Sequence, residues 1–262
     1  TPRGNLTASG VGLLGGTGTR ITGNVIAHSG LSGVGFGTVI QQVSILGNSI
    51  YANAGEGIRL NIADLNDGVY NNAQANRGMD NPVVTGAGID ATGTAMTVFG
   101  YVGTGNGQAA FAGARVEFFR AAPDASGYGE GQAYLGALAA DENGRFSGTF
   151  TLAAGQAVVG DAITATATDS SGNTSEFGPT WVTTPLDALT AASFNAFDTD
   201  TPLAALSGVI RSKVAGRPMS LAVVALDSTG LKLHPGFTGT VSLSWLDARN
   251  DSGTTTGSCR SS

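Results

Sequence analysis

The chain has 262 residues, with 13 Lys+Arg against 19 Asp+Glu, 41 Gly, 8 Pro and one Cys. Hydrophobic residues make up 41% and charged residues 12%, which supplies real cores and excludes the low-hydrophobicity, high-charge signature of a disordered chain. A net charge of −6 without a basic stripe points away from nucleic acid as a partner, and no apolar run approaches the ~18 residues of a membrane-spanning helix.

The charge is unevenly placed. Residues 1–81 carry four basic and four acidic side chains, residues 82–184 three and nine, and residues 185–262 six of each. The acidic middle third is one reason to cut the chain there. The chain starts at Thr1 without a Met, a basic n-region or an apolar h-region, and stops at Gly-Ser-Cys259-Arg-Ser-Ser. That pattern is expected of a fragment, truncated at both ends. With Cys259 alone, no internal disulfide can form.

The first segment repeats itself. Ile21–Phe36 (ITGNVIAHSGLSGVGF) overlays Ile45–Leu60 (ILGNSIYANAGEGIRL) at an offset of 24, and Gly10–Leu13 precedes Gly33–Phe36 by 23. Short apolar bursts are broken by Gly and Asn, with no helical period. This reads as a solenoid of short strands, with Asn24 and Asn48 stacked so that their amides bond to each other and to the bent backbone. Asn48, Ile50, Asn53, Gly57, Ile58 and Leu60 resemble the right-handed parallel β-helix (PbH1) repeat; Ser29 departs from it where a second Asn is expected. The resemblance implies stacked coils over residues 1–63. The β-helix families include polysaccharide lyases and glycosidases, which gather charged groups on one outer face. Here Glu56 lies over Ser32, Asp64 over Ile40, Arg59 over Gly35, and His28 under Ala52. No carboxylate stacks on another, so no catalysis is expected on these coils.

Residues 64–81 are polar and Asn-rich, expected as a capping loop. Asp64, Asn66, Asp67 and Asp80 offer the hard oxygen ligands that calcium prefers. The alternative is a set of Asx-turns.

Residues 82–184 read as six to seven strands, at Pro82–Thr85, Ala95–Val102, Ala114–Arg120, Gln132–Leu138, Gly144–Leu152 and Asp161–Asp169 with flanking pieces, which predicts a β-sandwich. Thr164–Phe177 (TATATDSSGNTSEF), Gly129–Gly131 and Val116–Phe119 resemble bacterial Ig-like domains that follow β-helix repeats in secreted proteins. That resemblance implies a spacer or binding module. Asp141, Glu142, Asp169 and Glu176 are expected on solvated turns, and Trp181–Leu186 as a linker.

Residues 185–262 are expected as a partial β-domain. Phe194, Asn195, Gly208, Ile210, Lys213, Gly216, Asp227, Phe237, Gly239 and Val241 resemble a domain of the MSHA pilus biogenesis protein Q family, which implies a Gram-negative envelope or surface protein. Asp198 and Asp200 read as a turn, and two histidines in different segments lack the material for a Ser/His/Asp or zinc site.

The sequence thus predicts an all-β chain: the C-terminal coils of a parallel β-helix, an Ig-like sandwich, then a partial β-domain. The expected function is non-catalytic, structural and adhesive, on the cell surface or secreted, with a link to pilus biogenesis. A glycan or a host or surface protein is the expected ligand. The alternative is a carbohydrate-active enzyme whose catalytic coils lie upstream. A sugar-binding module using Tyr101, Tyr128 or Tyr134 is a third reading, although these rings are expected to pack on strands.

Overall fold

The computed structural model describes residues 7–62, 66–105, 108–122, 126–186, 193–198 and 220–226. The chain is all-β. Three parallel ladders come first: β1 (Val11–Leu13), β4 (Val34–Phe36) and β7 (Ile58–Arg59); β2 (Arg20–Thr22) and β5 (Ser44–Leu46); β3 (Val25–Ala27) and β6 (Ser49–Tyr51). Ile21 pairs with Ile45 and Ile26 with Ile50, so the 24-residue offset of the sequence is the register of the stack. Val11 pairs with Val34, which places the 23-residue half-copy as well.

Corners recur at matching positions because the same backbone is needed in each coil. Gly23 (φ 67) and Gly47 (φ 59) sit in the left-handed region, as do His28 (φ 60) and Ala52 (φ 54). The Asn ladder locks the first of these corners. Asn24 donates its backbone N–H (2.9 Å) and its Nδ2 (3.1 Å) to Asn48 Oδ1, while Asn48 Nδ2 reaches Ile21 O at 2.7 Å. Inside the stack, Leu13, Ile21, Ile26, Val34, Phe36, Val43, Ile45, Ile50, Ile58 and Leu60 are all buried. A strand of three residues can bury little on its own, so each rung's stability comes from its neighbours.

A second unit follows. One sheet has the order β12-β9-β8-β15, built from β8 (Pro82–Ile89), β9 (Ala95–Val102), β12 (Arg145–Thr151) and β15 (Thr184–Pro185). The other has the order β11-β10-β13-β14, built from β10 (Arg115–Ala122), β11 (Glu130–Ala139), β13 (Ala162–Thr168) and β14 (Trp181–Val182). Both sheets feed one core that includes Met96, Val98, Phe111, Val116, Phe118, Phe146 and Ile163. Phe118 meets Phe146 edge-on and stacks on Phe150. In β8 a bulge between Val84 and Gly86 resets the alternation, so Val84, Ala87 and Ile89 all face inward.

The Trp181–Leu186 stretch, expected as a linker, instead closes the sandwich: Trp181–Val182 pairs with β13 and Thr184–Pro185 with β8. Beyond it, β16 (Ser193–Asp198) and β17 (Leu221–Leu226) form one antiparallel pair. Asp198, expected in a turn, ends β16 opposite Leu221. Asp200, the expected strands around Gly208 and Phe237, and Cys259 lie outside the described residues. Among the described residues no helix is long and apolar enough to cross a membrane.

Candidate functional site

The last coil would end in a row of unpaired amides, since no further rung covers it among the described residues. Leaving these donors dry and unbonded would cost about 1–3 kcal/mol each. Side-chain oxygens from beyond the coil take them instead. Gln42 N–H donates to Asn173 Oδ1 (2.7 Å), Val43 to Asn76 Oδ1 (3.0 Å), and Ile45 to Thr174 Oγ1 (2.9 Å). Gly47 donates to Glu117 Oε2 (2.8 Å), Asn53 to Glu130 Oε2 (3.0 Å), and Leu60 to Glu176 Oε1 (2.6 Å).

Some of these acceptors stand in for a missing rung. Within the stack Ser29 N–H donates to Asn53 Oδ1 at 3.0 Å. One coil later the equivalent donor, Asn53, finds the Glu130 carboxylate. Likewise Gly23 N–H donates to Leu46 O inside the stack, and Gly47, one coil on, donates to Glu117. The sandwich thus presents side chains where the solenoid would present its next turn.

Apolar contacts join the same seam. Phe119 and Phe177, from the sandwich, belong to the buried cluster of the coils, and their rings meet edge-on at 5.6 Å. Gly57 makes room for this: a Cβ there would fall 2.7 Å from the Phe177 ring. Asn76 is the keystone. It is wholly buried, donates its own N–H to Ile40 O, and sends Nδ2 to both Val43 O (2.9 Å) and Thr174 O (2.8 Å).

Glu176 corrects an expectation. It is buried rather than on a solvated turn, and burial pushes its carboxyl up to about 7, against the bond from Leu60 N–H; the nearby Glu56 charge adds to the rise and Arg59 opposes it. Asp169 also leaves the solvated class. Its Oδ2 accepts Asn173 Nδ2 at 2.7 Å, which orients the amide that caps Gln42. The repeat makes the coils themselves legible in the sequence, but not the seam that covers the last of them. Glu117, Glu130 and Glu176, which cap that coil, carry no signal in the sequence beyond an acidic residue inside a strand pattern or just after one.

Three of the four expected calcium ligands, Asn66, Asp67 and Asp80, lie among the described residues, each with its own hydrogen bonds. Asn66 clips two segments, accepting Asn81 N–H at 2.7 Å and donating to Asn81 O and Gly103 O. Asp67 accepts Val69 N–H in an exposed Asx-turn. Asp80 is buried and accepts Gly68 N–H at 2.9 Å; its Oδ1 has no hydrogen-bond partner. Burial lifts Asp80 to about 6, with Asp67 adding to the rise. Asp64 lies outside the described residues. Among the described residues no three His, Cys, Asp or Glu gather as a metal cluster. The rings expected to pack on strands divide: Tyr101 lies in β9 and Tyr134 in β11, where it meets Phe119 edge-on, while Tyr128 is half exposed beside the seam.

No protein-family model matches the chain.

Proposed function

We propose that this chain is a non-catalytic structural and adhesive module of a bacterial surface or secreted protein, in which an Ig-like sandwich ends a parallel β-helix and carries it on to a further domain. The observation that supports this most is the row of side-chain acceptors on the last coil, from Asn173 to Glu176 and from Glu117 and Glu130. A hydrogen-bonded, apolar seam transmits force better than a flexible linker does, because bending it breaks bonds and exposes Phe119 and Phe177. Among the described coil residues no carboxylate stacks on another, which fits a holding role; Arg59 stands over Gly35 in the ladder. A link to pilus biogenesis and an extracytoplasmic location rest on the C-terminal resemblance. The test is to array the purified chain against glycans and host matrix proteins while assaying polysaccharides for new ends. Retention of a ligand without cleavage is the expected outcome, and released oligosaccharides would overturn the reading in favour of a carbohydrate-active enzyme.

A further inference from the structure

The seam leaves a crevice on its outer side. It has a volume of about 140 Å³ and lies between Glu56, Gly57 and Ile58 of the last coil and Tyr128, Glu176 and Phe177 of the sandwich. Its body is apolar and its walls include two aromatic rings. Its charged lining is of one sign: Glu56, exposed, and Glu176, buried. Glu176 spends one oxygen on Leu60 N–H. Ser126, also at the rim, turns its hydroxyl to the backbone of Tyr128.

That inventory selects a ligand class. An ionised carboxylate accepts hydrogen bonds and cannot donate; Glu176 is in that form above about pH 7. A sugar ring needs several donors as well as acceptors; Ser126 Oγ is engaged by the Tyr128 backbone, which leaves the Tyr128 phenol and the protonated fraction of Glu176 as the donors at this rim. A primary ammonium needs only acceptors, gains from the face of an aromatic ring, and carries an apolar stem suited to the rest of the crevice. We propose that this crevice binds a lysine side chain presented by a partner protein, its ammonium held between Glu56 and Glu176 and its stem against Tyr128 and Phe177. Arg59 pairs with Glu56 at 3.8 Å and acts on Glu176 as well; both partners of that pair are half exposed, so the bond is weak and exchangeable. The site does not depend on the adhesive reading, because the crevice is a property of the seam itself.

The charge on Glu176 gives the site a pH signature. Its carboxyl titrates at about 7 when buried, so the ionised, binding-competent form is depleted below that pH, by about tenfold for each further unit.

The probes are Nα-acetyl-lysine methylamide, its uncharged norleucine counterpart and methyl glucoside, titrated into the full chain by NMR with Tyr128 and Phe177 as reporters. The lysine probe is expected to bind with a dissociation constant on the order of millimolar, at least about tenfold more tightly than norleucine, and to weaken as pH falls from 8 to 5. Glu176→Gln keeps an oxygen for Leu60 N–H and is expected to weaken the lysine probe about tenfold; Glu56→Gln, on an exposed side chain, is expected to weaken it severalfold. Equal binding of norleucine, preferential binding of the glucoside, or no lysine binding to the folded chain would each overturn the proposal.

Discussion

Asn76 holds a left-handed backbone, φ 43, which few residues other than Gly, Asn and Asp tolerate. From that pose its amide accepts Val43 N–H and donates to Val43 O and Thr174 O. Replacing it with Ala removes these bonds, leaves three buried backbone groups unpaired and strains the turn. Asn76→Ala is expected to lower stability by about 3 kcal/mol, read as a fall in the urea midpoint at unchanged slope. A change under about 0.5 kcal/mol would show that water replaces the amide. Two carboxyls set a different trend. Glu176 rises from 4.5 to about 7 and Asp80 from 3.8 to about 6, both chiefly through burial. A raised acid binds its proton more tightly folded than unfolded, so stability falls as pH climbs from about 4 through about 7 and the loss is complete above that. The chain is expected to be more stable at pH 5 than at pH 8 by on the order of 1–3 kcal/mol per group. Glu176→Gln is expected to remove its share of that slope, which melting curves across the range will read.

At the scale of elements, what the sequence displays is what a local pattern must repeat. Ile21, Asn24 and Ile26 recur as Ile45, Asn48 and Ile50 because each rung occupies the same environment, and the pairing partners are those residues. Alternation exposes the sandwich strands for the same reason: Val116 and Phe118 point into the core from one strand. Phe119, the next residue, points the other way and is buried against the coils. Alternation alone gives it to solvent, so a strand buried on both faces is not legible from its period. The seam was hidden for a related reason. Glu130 and Asn53 are 77 residues apart, and Glu176 and Leu60 116 apart, and nothing local in either partner announces the other. Trp181–Val182 and Thr184–Pro185 are two-residue pieces, below the length at which a strand pattern can be told from a turn.

For the whole molecule, the seam decides whether the chain unfolds as one body or two. The described coils number between two and three and bury a narrow apolar column, too little to expect independent stability. That column is completed by Phe119 and Phe177 from the sandwich, and its last amides end on sandwich side chains. The coils therefore borrow their stability from the sandwich, and the two should melt together. Hydrogen exchange is expected to show Leu60, Gly47 and Ile45 amides opening with the same free energy as the core strand amides of Val98 and Ala165, the signature of global unfolding. Phe177→Ala is expected to separate them. Removing a buried ring costs about 3–5 kcal/mol, and here the loss falls on the seam, so the coil amides should exchange faster while those of Val98 keep most of their protection. If wild-type coil amides already exchange far faster than the sandwich core, the seam is a contact of convenience rather than a structural bond. The reading of the chain as a stiff, continuous holder would then fail along with it.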